Sequence, residues 1–447
     1  MPSFKPLQRR KGYSTMKKFL LIILNFFLMN YSYASALSPT EKNMVEYLKK
    51  EKNSQIVLLE KLVSINSGTT NVVGVKKVGE ILRPQFEKLG FKTQWVKLPP
   101  PMKHAGTLIA THSGHGKNIL LIGHLDTVFP KNSKFQKFSR KGNFAKGPGV
   151  IDDKGGVVVI LYALKALNHA KALKNAAITV VLVGDEEDSA KPTSISRKSL
   201  IDIGKKSAVA LDFEPSSGLH TIAVGRRGIS SFTIKTTGID AHSSLIFSSE
   251  IGDGAIYELA RIIDAIRIQL KSEKYLVYSP AMILGGTDIK YVANFTEGTA
   301  QSKKNIVAKN AMVHSDLRFV SEEQRATAEN IIKKIVAEHL PKTKASVTFQ
   351  SGIPAMPIKE GNQQLLKKYR QVSLDLGQGA VLPLGPEARG AGDISHVAAF
   401  VPQNLIGLGP VGYDMHSEQE SVVLSTLPIA AARAAILIHR ISLDKIH

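Results

Sequence analysis

The stretch Gly123-His124-Leu125-Asp126-Thr127-Val128 follows directly on the apolar run Ile119-Leu120-Leu121-Ile122. Such a run reads as a short buried strand. His124 and Asp126 then emerge at or just beyond its C-terminal end. Residues two apart on a strand point the same way. A carboxylate at 126 can therefore hold the imidazole at 124 through one ring nitrogen and leave the other for a metal.

Four further clusters repeat this chemistry. In Gly147-Pro148-Gly149-Val150-Ile151-Asp152-Asp153-Lys154-Gly155-Gly156, two adjacent acids open a helix of small residues. Metal ligation and plain helix capping both suit an acid there. In Val181-Leu182-Val183-Gly184-Asp185-Glu186-Glu187-Asp188, four acids follow an apolar strand. Like charges so crowded call for a cation, and the C-terminal edge of a strand is where α/β folds place ligands. Leu211-Asp212-Phe213-Glu214-Pro215 ends another strand, and Asp414-Met415-His416-Ser417-Glu418 lies near the C-terminus. Cysteine is absent. A metal must then be held by His, Asp and Glu, which suits zinc, cobalt or manganese. Together the five clusters read as a two-metal hydrolase.

Around them the pattern is that of an α/β protein. Helices are expected over Ser38 to Leu62, Val78 to Leu89 and Gly155 to Ala170. Strands are expected over Phe91 to Leu98, Thr107 to Thr111, Ile119 to Ile122, Ala177 to Val183 and Val209 to Phe213. Continuous apolar strands alternating with helices argue for a sheet covered on both faces. Near Arg226 the order becomes β-α-β-α-β: Ile229 to Thr236, Gly254 to Lys271, Ala311 to Phe319, Glu322 to His339, Ala345 to Phe349. That fits a small open-faced sandwich. A helix from Leu365 to Leu376 and a final one from Thr426 to Ile441 return to the first pattern. The economical reading is one catalytic domain, residues 37–225 and 351–447, interrupted by an inserted domain, residues 226–350.

Residues 1–36 carry Lys17 and Lys18, the apolar segment Phe19 to Met29, and the small-residue site Ala34-Ser35-Ala36. This is the pattern of a cleavable secretory signal, placing the mature chain in the periplasm or outside the cell. An uncleaved membrane anchor is the alternative. The formal charge is +22, of which +16 belongs to the chain after residue 36. A basic surface attracts nucleic acid or anionic membrane. The lysines are mostly scattered, however, with few aromatics among them to stack bases, so no nucleic acid is expected as a partner.

In kind and order the five clusters resemble the co-catalytic zinc aminoacylase and carboxypeptidase family, especially its bacterial glutamate carboxypeptidases. The resemblance covers nearly the whole chain after residue 36. It implies a zinc-exopeptidase-like α/β catalytic domain with an inserted ferredoxin-like α+β domain that serves as lid and dimerisation unit. It also implies two zinc ions. His124 and Glu214 would belong to the first, Glu187 and His416 to the second, with Asp152 shared between them and followed by a cis peptide. Asp126 would orient His124, and Glu186 would be the general base. His242, in Gly238-Ile239-Asp240-Ala241-His242-Ser243, would polarise the scissile carbonyl, often from the partner subunit. Asn305 and Arg318 would bind the substrate's terminal carboxylate, for which arginine has the matching fork. Gly392, in Gly390-Ala391-Gly392-Asp393, would sit in a glycine-rich loop beside the substrate.

Two departures stand out. Asp153 replaces a methionine common in the family, as it does in the glutamate carboxypeptidase branch, and the loop Asp188 to Arg197 replaces a shorter glycine-serine turn. The implied activity is hydrolysis of an amide next to a free α-carboxylate, in a small peptide or N-acyl amino acid, with glutamate-type release first. A deacetylase or dipeptidase is the alternative. An inactive binding module that keeps the fold, or a basic nucleic-acid-binding protein, would be the reading from another class.

Overall fold

The computed structural model describes residues 37–293, 295–388 and 390–444. The signal segment read at 1–36 lies outside the described residues. Among those described, no helix is long and apolar enough to cross a membrane.

The principal sheet holds eight strands, numbered in chain order through the whole molecule: β1 (Lys92–Val96), β2 (Thr107–His112), β3 (His115–His124), β6 (Ala176–Val183), β7 (Val209–Asp212), β8 (Thr221–Ala223), β15 (Leu382–Leu384) and β16 (Gln403–Ile406). They lie in the order β1-β2-β6-β3-β7-β16-β8-β15. The central four, β6, β3, β7 and β16, run parallel, so their C-terminal ends share one edge. Alternation explains why these strands are apolar throughout. Ile119 and Leu121 of β3 enter the core on one face, and Leu120 and Ile122 enter that on the other. Val180 and Leu182 of β6 oppose Val181 and Val183 in the same way. A parallel strand covered on both sides has no face to leave polar.

The first face is covered by α1 (Pro39–Lys50), α2 (Lys52–Val63), α4 (Lys154–His169), α9 (Glu360–Asp375) and α10 (Thr426–Ser442). α3 (Val72–Glu87) packs on β1 and β2. On the other face lie the short α5 (Thr193–Ser196) and α6 (Lys198–Gly204), with Leu200 of α6 buried beside Ile394 and Val397. The helix expected from Ser38 to Leu62 is in fact two. Ser38 and Glu41 form a capping box at its start, and the chain breaks at Glu51. No apolar residue lies between Leu48 and Ile56, so nothing there is drawn to the core. The next helix begins at Val72 rather than Val78, because the Asn71 side chain caps the Gly74 N–H.

The segment between the two halves builds its own sheet from β9 (Gly228–Thr237), β10 (Val277–Gly286), β13 (Asn310–Phe319) and β14 (Lys344–Ile353), in the order β10-β13-β9-β14. α7 (Gly254–Leu270) and α8 (Glu322–Ala337) cover one face. The core between them is separate: Phe232, Ile234, Leu259, Ile262, Val313, Leu317 and Ile332. β10 makes this a ferredoxin-like β-α-β-β-α-β unit rather than the β-α-β-α-β expected. Pro280, at a bulge, and the pair Gly285-Gly286 disguise that strand, and proline is tolerated because β10 is an edge. A hairpin of β11 (Asp288–Tyr291) and β12 (Gly298–Gln301) follows it. A third sheet, β17 (Gly412–Tyr413), β18 (Ser421–Val423), β5 (Phe144–Lys146) and β4 (Ser139–Lys141), flanks the principal one.

Two features hold the halves in place. Arg226 and Met356 exchange backbone hydrogen bonds of 2.9 and 3.0 Å, so the inserted segment leaves and rejoins at one point. Arg197, buried on the loop after β6, donates to Asp185 Oδ1 (2.8 Å), Asp393 Oδ1 (2.6 Å), the Asp185 carbonyl (2.8 Å) and Ser189 Oγ (2.8 Å). Replacing residues 228–354 with a short glycine-serine linker should leave a chain that still melts cooperatively by circular dichroism; a molten product would contradict the independence of the two cores. Arg197→Met should cost about 3–5 kcal/mol in urea denaturation, because it strands two buried carboxylates. Arg197→Lys should recover little, since an ammonium lacks the planar fork.

Candidate metal centre

His124 is the last residue of β3, and its ring is fully enclosed. Nδ1 lies 3.1 Å from the Asp126 carbonyl and 3.3 Å from Asp126 Oδ1. The strand has already ended there, so the two side chains meet through a turn and not through strand alternation. Asp126 does more than hold the ring. Oδ1 accepts the Glu186 N–H (3.0 Å), and Oδ2 accepts the Glu187 N–H (3.2 Å) and the Thr69 hydroxyl (2.7 Å). Burial works to raise its pKa, but the His124 ring and these donors outweigh burial and hold it below the usual carboxylate value.

His124 Nε2 then faces Asp152 Oδ1 at 3.0 Å and Glu214 Oε1 at 3.6 Å. On the opposite side His416 Nε2 faces Asp152 Oδ2 at 3.1 Å and Glu187 Oε2 at 3.3 Å. The two oxygens of Asp152 thus address two different histidines. Ligand atoms of His124, Asp152 and Glu187 lie within 4.8 Å of one another, as do those of His124, Glu186 and Glu214. His416 stands in the left-handed region, φ 63°, where histidine is among the side chains that tolerate a tight turn.

The loop that presents Asp152 is held by a residue with no motif of its own. Glu420 is buried and accepts the N–H groups of Gly149 (3.1 Å), Ile151 (3.0 Å) and Asp152 (3.2 Å). Burial lifts its pKa to about 7 in spite of those bonds. The Asp152–Asp153 peptide is cis. Asp153 takes the N-cap position of α4 without capping it. Its Oδ2 instead accepts the His124 N–H at 3.1 Å. Gly156 is obligatory, because a Cβ there would meet the Phe213 carbonyl at 2.1 Å.

The charge balance fits a cation. Burial, reinforced by the nearby Glu214 charge, raises the Glu186 carboxyl well above its ordinary range, and burial likewise raises Glu187. Hydrogen bonds that its ring donates to the Asp152 and Glu187 carboxylates push His416 up to about 10. For His124, burial opposes the charge, yet its bonds to Asp126, Asp152 and Glu214 win and raise it well above the usual value. Carboxylates crowded against two imidazoles in this way are the surroundings that a divalent ion neutralises. Glu187 Oε1 is buried and takes no hydrogen bond among the described residues. An all-oxygen and imidazole donor set of this kind suits zinc, cobalt or manganese.

Of the run of four acids, only Glu186 and Glu187 face this centre. Asp185 is neutralised by the Arg197 guanidinium, and Asp188 is exposed. A cleft of about 350 Å³ opens over the centre, lined by Asp152, Glu186, Glu187, Glu214, Arg226, Ala388, Gly390, Ala391, Met415 and His416. His242, Asn305, Arg318 and Gly392 are not in its lining. His242 and Asn305 share a ledge, since Ser243 N–H donates to the Asn305 carbonyl (2.8 Å) and His242 bridges Ile306. Arg318 pairs with Ile229 at the other end of β9, roughly 25 Å of strand away, and it binds Asp316 at 3.0 Å. Gly392 makes room: a Cβ there would come within 2.8 Å of Arg226 Nη1. Arg226 itself, in the unread run Gly225-Arg226-Arg227-Gly228, donates to the carbonyls of Gly390 and Ala391.

Comparison with known proteins agrees with this architecture. The chain matches the description Peptidase family M20/M25/M40 over residues 120–440. It is 28% identical to carboxypeptidase G2 of Pseudomonas sp. (strain RS-16) across 87% of this chain and 89% of that one. The structure of aminopeptidase PepT from Bacillus cereus superposes with a TM-score of 0.69 at 18% identity, covering 87% of this chain and 98% of the other. The YXEP protein of Bacillus subtilis, described as a dinuclear metal binding peptidase, gives 0.60 at 16% identity, with 88% and 98% covered. At such identities the structures show a shared fold. The chain belongs to peptidase family M20/M25/M40 and is a metallohydrolase acting on peptide or amide bonds.

Proposed function

We propose that the chain is an exported di-metal carboxypeptidase that releases a C-terminal amino acid, glutamate first among them. The observation that carries the metal reading is the placement of Asp152 between His124 and His416. His124, Asp152 and Glu214 would hold one ion, and Asp152, Glu187 and His416 the other; zinc is the first choice, with cobalt or manganese as alternatives. Such ions make a water acidic and polarise a carbonyl. Glu186 lines the same cleft, with its backbone fixed by Asp126 and its carboxyl pKa raised. It receives the proton of the attacking water and delivers it to the leaving nitrogen. The glutamate preference rests on the likeness to carboxypeptidase G2 and on the Asp152-Asp153-Lys154-Gly155-Gly156 and Phe213-Glu214-Pro215 runs. Export rests on the signal-like residues 1–36.

The carboxylate-binding and carbonyl-polarising groups call for a second copy of the chain. Arg318 stands at the end of the inserted sheet that adjoins Arg226 and the cleft. His242 and Asn305 stand at the far end. A homodimer through the inserted domain would bring the partner's ledge over this cleft. Exposed apolar residues on that domain support it: Phe247 packs on Tyr257, and Ile256 lies against Gly285 of the edge strand β10. Patches of this kind mark contact surfaces.

With N-acyl glutamates and dipeptides as substrates and zinc present, Glu186→Gln should keep both metal equivalents and lower kcat by about 10²–10⁴-fold. His416→Ala should shed one of the two equivalents by elemental analysis. Retained turnover in the first, or full metal in the second, would remove the assignment. Mixing Glu186→Gln with His242→Ala subunits under exchange should restore about a quarter of wild-type activity, because a mixed symmetric dimer has one whole site. No recovery would place His242 in its own chain's site, and an active His242→Ala homodimer would place it outside catalysis.

A further inference from the structure

The small sheet beside the cleft has a face that the reaction does not use. Pairing aligns Tyr413, Ser421, Lys146 and Ser139 in one row across its strands, and Val423, Phe144 and Lys141 in the next. Cross-strand partners and residues two apart share a face. Tyr413, Phe144, Lys141 and Lys146 therefore stand together, while Ala145 and Val422 turn inward and are buried. Phe144 is 48% exposed and Tyr413 55%. Two large rings left in water on one short sheet are an unpartnered surface.

The charge around this face is one-sided. From residue 127 to 151 the chain has no Asp or Glu. Lys131, Lys134, Lys137, Arg140, Lys141 and Lys146 of that stretch are all exposed. The first acids on the cleft side are Asp414 and Glu418 in the turn after Tyr413. The face is also connected to the chemistry. Tyr413 precedes Met415 and His416, which line the cleft, and β5 leads within six residues to Asp152. Arg226 and Gly390 line this cleft where the inserted segment joins, and Met415 and His416 line it where the chain leaves the small sheet.

We propose that this face is an accessory subsite for an acidic peptide, namely the part of the substrate on the acyl side of the scissile bond. It rests on the carboxypeptidase reading, in which the released residue points toward Arg318 and the remaining chain leaves the cleft past Met415 and Tyr413. Backbone and side-chain stems of that chain lie on Tyr413 and Phe144, and its carboxylates meet Lys141, Lys146 and the basic loop before them. The inferred substrate class is a peptide with acidic residues upstream of its C-terminus.

The test is a binding measurement that does not need turnover. Fluorescence anisotropy of labelled pentapeptides, one with glutamates at its four upstream positions and one with glutamines, is read on the full-length protein at low and at high salt. The acidic peptide should bind about tenfold tighter at low salt, and the gap should close as salt screens it. It should also close in Lys141→Ser/Lys146→Ser, while Tyr413→Ser/Phe144→Ser should weaken both peptides. Equal affinities for the two peptides, or a preference untouched by the lysine variant, would overturn the subsite. Retention on anionic vesicles without preference for the acidic peptide would overturn it too, and would assign the face to lipid. Turnover of short N-acyl glutamates, measured alongside, reports on the hydrolase reading separately.

Discussion

One buried carboxylate sets the geometry on which the rest depends. Asp126 reaches from the end of β3 to the backbone of Glu186 and Glu187 at the end of β6, while touching the His124 ring and Thr69. The two strands are already neighbours in register, His124 beside Val183. What strand pairing alone leaves free is the path of the chain beyond the sheet. Asp126 removes that freedom by satisfying amides that would otherwise be buried unpaired, a penalty of about 1–3 kcal/mol each. The His124 ring and the backbone of Glu186 and Glu187 are thereby placed from a single point.

The same edge must carry many more acids than a protein interior tolerates. Several of these acids have counterparts of their own. Asp185 meets the Arg197 guanidinium, Glu420 meets three amides, and Asp153 meets the His124 amide. Asp152 and Glu187 are left with two histidines. The local charge is thus sorted into acids met by guanidinium or main-chain groups and acids met by imidazoles. Only the second group opens onto the cleft. Pre-organisation of this sort is what separates a binding site from a merely acidic loop.

Legibility followed the physics of each segment. The run Ile119–Ile122 could be read because a strand buried on both faces has no choice of composition, and the acids at 186, 187 and 214 drew notice because charge beside such strands is conspicuous, whereas Asp152, at a helix start, was singled out only by the family resemblance. β10 was hidden by Pro280 and Gly285-Gly286, which an edge strand permits. The third sheet was hidden because strands of two or three residues carry no period. Glu420, Thr69 and Arg226 escaped notice for another reason: they bind main-chain groups or distant loops, and such partners leave no spacing in the chain. Arg197 was passed over within a loop whose only visible mark was its length. The cluster of four acids was read as one unit, although Asp185 and Asp188 have environments of their own.

The paired amides of Arg226 and Met356 bear on how the molecule is made. β7 and β16 are hydrogen-bonded neighbours, yet nearly the whole intervening chain must be threaded before they meet. An inserted unit with its own interior can acquire structure first, and its ends then stand side by side. For the segments still searching, the polypeptide has been shortened by roughly 130 residues, easing the entropy of closing that loop and the slow assembly that distant strand pairing imposes. The interruption in the gene is, for the nascent protein, a shortcut.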